Sequence, residues 1–117
     1  MTTTTLLAIT FDCADPERLA RFWAAAMGRE IDPIRTPGFA TIGHAEAARP
    51  FWVFQQVEEP RAGTNRVHAD LNTDDLAGET RRLLALGATL VREVAGNSVT
   101  FNTLLDPEGN TFDLAAE

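Results

Sequence analysis

The sequence predicts an α+β fold built from two βαβββ modules, residues 1–60 and 61–117 of one domain. Three observations predict it. Short stretches alternate apolar and polar residues, the period of a half-buried strand. Two longer stretches carry apolar residues at helical spacing, each behind an aspartate able to cap free backbone N–H groups. The order strand, helix, three strands then runs twice, with Asp75 repeating Asp15. Identity between the halves is weak, so the repeat is one of pattern, and pattern alone supports a generic α+β sheet protein.

Residues 5–13, TLLAITFDC, place Leu7, Ile9 and Phe11 on one face and Ala8 on the other. Asp15 caps the first helix and Pro16 is tolerated at its first position. Leu19, Phe22, Trp23 and Ala26 form its apolar stripe, and Gly28 ends it. Glu30 to Ile34 reads as a short strand, and Pro33, Pro37 and Gly38 break the next stretch into a loop. Phe39 to Gly43 and Phe51 to Val57 complete the first module. Residues 58–65, EEPRAGTN, form a polar linker between the halves. In the second module Arg66 to Asn72 alternates, with Val67, Ala69 and Leu71 on the buried face. Asp74 and Asp75 start a helix with a stripe of Leu76, Leu83 and Leu84, ended by Gly87. Ala88 to Val94, Ser98 to Leu105 and Thr111 to Ala115 read as strands, and Asp106 to Asn110 as a turn.

The 117 residues suffice for one core without disulfides, and the single cysteine, Cys13, allows none within the chain. This fits a reducing compartment, and with no visible secretory signal the expected location is the cytoplasm. No apolar run approaches the ~20 residues that span a bilayer. The net charge of −7 argues against nucleic acid and against anionic membranes. Arg81 and Arg82 read as a solvated helix face. The chain lacks a P-loop, a GxGxxG after a strand, a CxxC and a GxSxG, so nucleotide binding and serine-type hydrolysis have no support.

Specific residues carry a family resemblance. ITFDCADPERLARFWAAAMGRE resembles the opening strand and helix of glyoxalase-like domains. VHADLNTDDLAGETRRLLALGATLV is similar to the matching segment of the second module, and LLDPEGNTFDLA to the closing turn and strand. The chain thus resembles the vicinal oxygen chelate (VOC) superfamily of glyoxalase and bleomycin-resistance proteins. The resemblance implies a cupped mixed sheet with helices on its outer face, a small molecule in the cup, and pairing of two copies as a homodimer. In many members the cup also holds a divalent metal. Lyases, isomerases, dioxygenases and antibiotic-sequestering proteins share this fold, so it does not settle the function.

The family's four ligand positions fall, by resemblance, on Ala8, Gln55, His68 and Asp113. Strand alternation independently puts all four on the face away from the helices. Ala8 has no donor atom. Gln55 offers a weak neutral oxygen, His68 is a good ligand, and Asp113 is a short carboxylate. One imidazole and one carboxylate are too few for a stable zinc or nickel site. The sequence therefore fixes no cofactor; the resemblance leaves a divalent Zn, Ni, Mn or Fe on His68, Gln55 and Asp113. His68 shares its predicted face with Asp70 and is also a hydrogen-bonding or acid–base candidate. Phe51 and Val53 share the face of Gln55 and are pocket candidates with Phe101, whereas Trp52 and Phe54 belong to the core. His44 reads as ordinary surface and Cys13 as a structural thiol.

The reading this favours is a small-molecule-binding protein with a degenerate metal site, its pocket shaped by loops 33–38 and 44–50. One alternative is a metal-dependent lyase or isomerase of the glyoxalase type, with His68 and Asp113 as catalytic residues. The other is a dimeric accessory domain without a ligand of its own.

Overall fold

A computed structural model describes residues 4–33, 35–60, 63–96 and 98–117. The chain divides into two compact units, Met1–Pro60 and Arg61–Glu117. Among the described residues no helix is long and apolar enough to cross a membrane.

The first unit contains β1 (Ala8–Cys13), α1 (Pro16–Met27), β2 (Phe39–Ile42) and β3 (Phe51–Gln56). Its sheet runs β1-β3-β2, with β1 parallel and β2 antiparallel to β3. Asp15 caps α1 by accepting the backbone N–H of Arg18 at 3.3 Å, and Pro16 takes a first-turn position where its missing N–H costs nothing. Gly28 ends the helix with φ at 66°, a left-handed conformation open to glycine. The buried face of α1 carries Leu19, Phe22, Trp23 and Ala26. Trp23 stacks on Trp52 with ring centroids 5.4 Å apart, and Phe11 stacks on Phe54 at 5.1 Å. Trp52 and Phe54 thus face the helix, leaving Phe51 and Val53 on the opposite side of β3.

The second unit contains β4 (Asp70–Thr73), α2 (Leu76–Leu86), β5 (Thr89–Ala95), β6 (Thr100–Leu105) and β7 (Thr111–Ala116). Its sheet runs β4-β7-β6-β5, parallel only between β4 and β7. Asp75 caps α2 through the N–H of Gly78 at 3.0 Å. Leu83, Leu104, Phe112 and Leu114 are fully or almost fully buried. A polar link is buried with them: Asn102 Nδ2 donates to Thr80 Oγ1 at 2.9 Å, and that hydroxyl donates to the Leu76 carbonyl at 2.6 Å. Asp106 shapes the turn before β7 by accepting the N–H groups of Glu108 and Asn110 at 2.9 and 3.0 Å.

Four expectations are corrected. The strand expected at Glu30 to Ile34 does not form over Glu30 to Pro33; Ile34, like Arg61 and Ala62 of the linker, lies outside the described residues. The Asp32 N–H does reach β2, donating to the Thr41 carbonyl at 2.9 Å, but the next residue, Pro33, has no N–H to extend a ladder. The first strand of the second module starts at Asp70, not Arg66, so His68 precedes it and Val67 is 83% exposed instead of buried. Leu7 and Ile9 are exposed as well; of their predicted face, Phe11 alone joins the aromatic cluster of the described residues. In α2 the buried residues are Leu83 and Thr80, while Leu84 is exposed.

Candidate functional site

In the second unit the parallel register of β4 and β7 sets Asp70 directly beside Asp113. Phe112 and Leu114 are buried, so alternation turns Asp113 away from α2. His68, just ahead of β4, reaches both carboxylates: Nε2 is 3.1 Å from Asp70 Oδ1 and 3.4 Å from Asp113 Oδ2. The other oxygen of Asp113 accepts the Thr103 hydroxyl at 2.7 Å. Phe101 sits two residues from Thr103 on the same strand face. The three sequence-predicted polar residues of this module therefore come together. The imidazole thus sits with Nε2 between two carboxylates.

One donor atom each from His68, Asp70 and Asp113 lie within 4.8 Å of one another. The full ligand set implied by the resemblance does not fit a metal. Ala8 contributes a methyl group, and Gln55 donates through Nε2 to Asp12 Oδ1 at 2.8 Å on the exposed end of β3.

The first unit contains a cavity of about 820 Å³, a volume typical of small-molecule pockets. Its apolar wall is Leu7, Ala8, Phe39, Phe51 and Val53. Phe51 and Val53 come from the face of β3 opposite α1, and Ala8 lies directly beside Phe51 in the parallel register. A larger side chain at Ala8 would project into this space. Gln55 lies farther along β3 and Phe101 in the other unit; neither lines the cavity.

The polar part of the wall includes Asp32, Arg35, Thr41 and His44, from β2 and the loops on either side of it, and Thr10 of β1. Asp32 is 7% exposed. Its Oδ2 accepts the Thr41 hydroxyl at 2.6 Å and the His44 backbone N–H at 2.9 Å. His44 is exposed, as a surface residue is, yet its ring also lines the cavity and meets Phe51 edge-on at 4.8 Å. The turn that carries it is fixed: Ala48 N–H donates to the Gly43 carbonyl at 2.9 Å, and Arg29 pairs with Glu46 at 3.1 Å. Gly43 has φ at +90°, and a Cβ there would lie 3.0 Å from the Arg29 guanidinium. Sequence reasoning missed His44, Asp32 and Arg35. The available signal was their position in or beside the very loops expected to shape the pocket.

Comparison with known proteins gives a consistent result. The model of a family described as glyoxalase-like domain matches residues 8–115. Among solved structures, the fold is similar to a glyoxalase/bleomycin resistance protein/dioxygenase family enzyme from Burkholderia phytofirmans PsJN. That match has a TM-score of 0.80 and 19% identity, and covers 97% of this chain and 98% of the other. A glyoxalase-related enzyme from Fulvimarina pelagi matches with a TM-score of 0.76 and 19% identity, over 98% of this chain and 89% of that one. The bleomycin-binding protein of Streptomyces verticillus, complexed with copper(II)-bleomycin, matches with a TM-score of 0.62 and 14% identity, over 100% and 99%. No curated protein matches in sequence.

Proposed function

The chain belongs to the glyoxalase-like domain family of the VOC superfamily, and on that premise we propose that it is a small-molecule-binding member whose metal site is degenerate. The observation that carries this reading is the apolar cavity of the first unit, with the methyl of Ala8 in its wall where the resemblance calls for a metal ligand. A binding pocket needs apolar area and a few fixed polar groups. Phe51 and Val53 supply the first, and the Asp32-anchored turn supplies the second. Its ligand is a small apolar or aromatic molecule that is held and released unchanged. Dimerisation belongs to the same reading, since β1, β2, β4 and β5 stand at the ends of their sheets, with edges that a second copy can cover.

A second reading is favoured by one observation, the convergence of His68 Nε2 on Asp70 and Asp113. An imidazole held between carboxylates is equipped to move a proton, as a lyase or isomerase requires.

The two are separated by a melting experiment with small aromatic compounds and the Thr10→Trp variant. Thr10 is exposed on β1 and lines the cavity, so tryptophan there fills it without touching the core. Ligand at 100-fold over Kd raises the stability of the native protein by about 2.7 kcal/mol. Loss of that gain in Thr10→Trp supports the binding reading. An unchanged gain in the variant places binding elsewhere.

A further inference from the structure

The cavity of the first unit is asymmetric in hydrogen-bonding character, and this narrows what it accepts. One oxygen of its buried carboxylate is already used: Asp32 Oδ2 takes two donors, the Thr41 hydroxyl at 2.6 Å and the His44 N–H at 2.9 Å. Those bonds also commit the Thr41 hydroxyl proton. Two stronger donors remain on the wall, the guanidinium of Arg35 and the imidazole of His44. Arg35 touches Glu17 through Nε at 3.6 Å, a long and half-exposed contact that uses one edge of its planar fork. His44 is held in place from three sides: by Asp32 at its backbone, by the Arg29–Glu46 pair on its turn, and by Phe51 against its ring. An apolar chamber with donors at its polar end complements an acceptor that carries negative charge.

Resting on the reading of this cavity as the binding site, we infer that its ligand is a small organic anion: an aromatic or branched aliphatic body bearing one carboxylate or phenolate. The body lies against Phe51 and Val53, and the anionic oxygens meet Arg35 and His44. Arg35 and His44 are specificity-determining residues, while Asp32 is a positioning residue that acts through the His44 backbone. The net charge of −7 on the chain opposes an anion at long range, but that field is screened over about 8–10 Å in physiological salt, whereas contact donors are not.

The test uses three probes of nearly equal shape, naphthoate, naphthalenemethanol and naphthalenemethylamine, titrated calorimetrically into the intact protein. Naphthoate is expected to bind about tenfold or more tighter than the alcohol, with the amine weakest, because charge-assisted hydrogen bonds are roughly twice as strong as neutral ones. In the double variant Arg35→Gln, His44→Gln, both at exposed positions, the preference for naphthoate over the alcohol should collapse to about one, and a preference kept at its wild-type size overturns the inference. Equal binding of naphthoate and alcohol to the wild type, or tightest binding of the amine, overturns the inference and leaves the cavity reading standing. If none of the three binds, the cavity reading falls together with it.

Discussion

The backbone N–H of His44 donates to the buried carboxylate of Asp32 at 2.9 Å, and the same oxygen takes the Thr41 hydroxyl at 2.6 Å. One side chain thereby ties β2 to the turn that succeeds it. Asp32→Ala should cost about 1–3 kcal/mol, because it leaves the buried Thr41 hydroxyl without its acceptor. Asp32→Asn keeps an acceptor oxygen and should cost less. Urea denaturation of the two variants measures both. Stability equal to wild type in Asp32→Ala would show that the carboxylate does not hold the turn.

The helix-facing side of the first sheet rests on Trp23, which is 1% exposed and packs on Phe11, Phe22 and Trp52. Trp23→Ala should cost about 3–5 kcal/mol. Phe51→Ala, on the cavity side and only half-buried, should cost clearly less and weaken ligand binding instead. Chemical denaturation paired with ligand titration reads the contrast. A larger stability loss at Phe51 would mean that the cavity face is part of the core.

Metal retention is the point at which the proposed reading departs from the pattern that the resemblance implies. With Ala8 unable to coordinate and His68 Nε2 engaged by Asp70 and Asp113, the protein should hold well below one metal per chain after incubation with Zn, Ni, Mn or Fe(II) and desalting. Elemental analysis decides it. One metal per chain in the wild type, lost in His68→Ala, would restore the lyase or isomerase reading.

Arg82 grips Glu79 with two hydrogen bonds of 2.7 and 2.6 Å on the surface of α2. The hydrogen bond from Arg82 holds the Glu79 carboxyl below the ordinary glutamate value, against a smaller opposing effect of burial. A lowered folded-state value means stability that is present above the ordinary glutamate range and is lost as the pH falls through the folded-state value. Arg82→Ala should therefore cost about 0.5 kcal/mol near neutral pH and nothing once Glu79 is protonated. Melting curves across the acid range test the sign. A cost that grows toward low pH would contradict it.

Much of the fold was legible because local chemistry and tertiary packing agree. Asp15 and Asp75 cap the helices they precede, Gly28 ends the first, and the alternation of FWVFQQ sorts Trp52 and Phe54 from Phe51 and Val53 as the sheet does. The failures have physical causes. Glu30 to Pro33 has one strand former, Ile31, while Asp32 spends its side chain on Thr41 and His44, and Pro33 cannot continue a ladder. Val67 alternates correctly with Ala69 and Leu71, yet the strand begins three residues later and leaves it in solvent. At the site, the His68, Asp70 and Asp113 grouping could be read from period-two alternation because all three lie on or beside strands. Asp32, Arg35 and His44 could not, because loop residues obey no period; they meet only when β2 brings its two flanking loops to one wall.

Whether the cavity of the first unit binds a ligand is answered by the backbone amide NMR signals of the protein during a titration with naphthoate. Saturable shifts are expected at Thr10, Thr41, His44 and Val53, all of which line the cavity. Shifts confined to His68, Asp70 and Asp113, or none at all, would contradict a ligand site there.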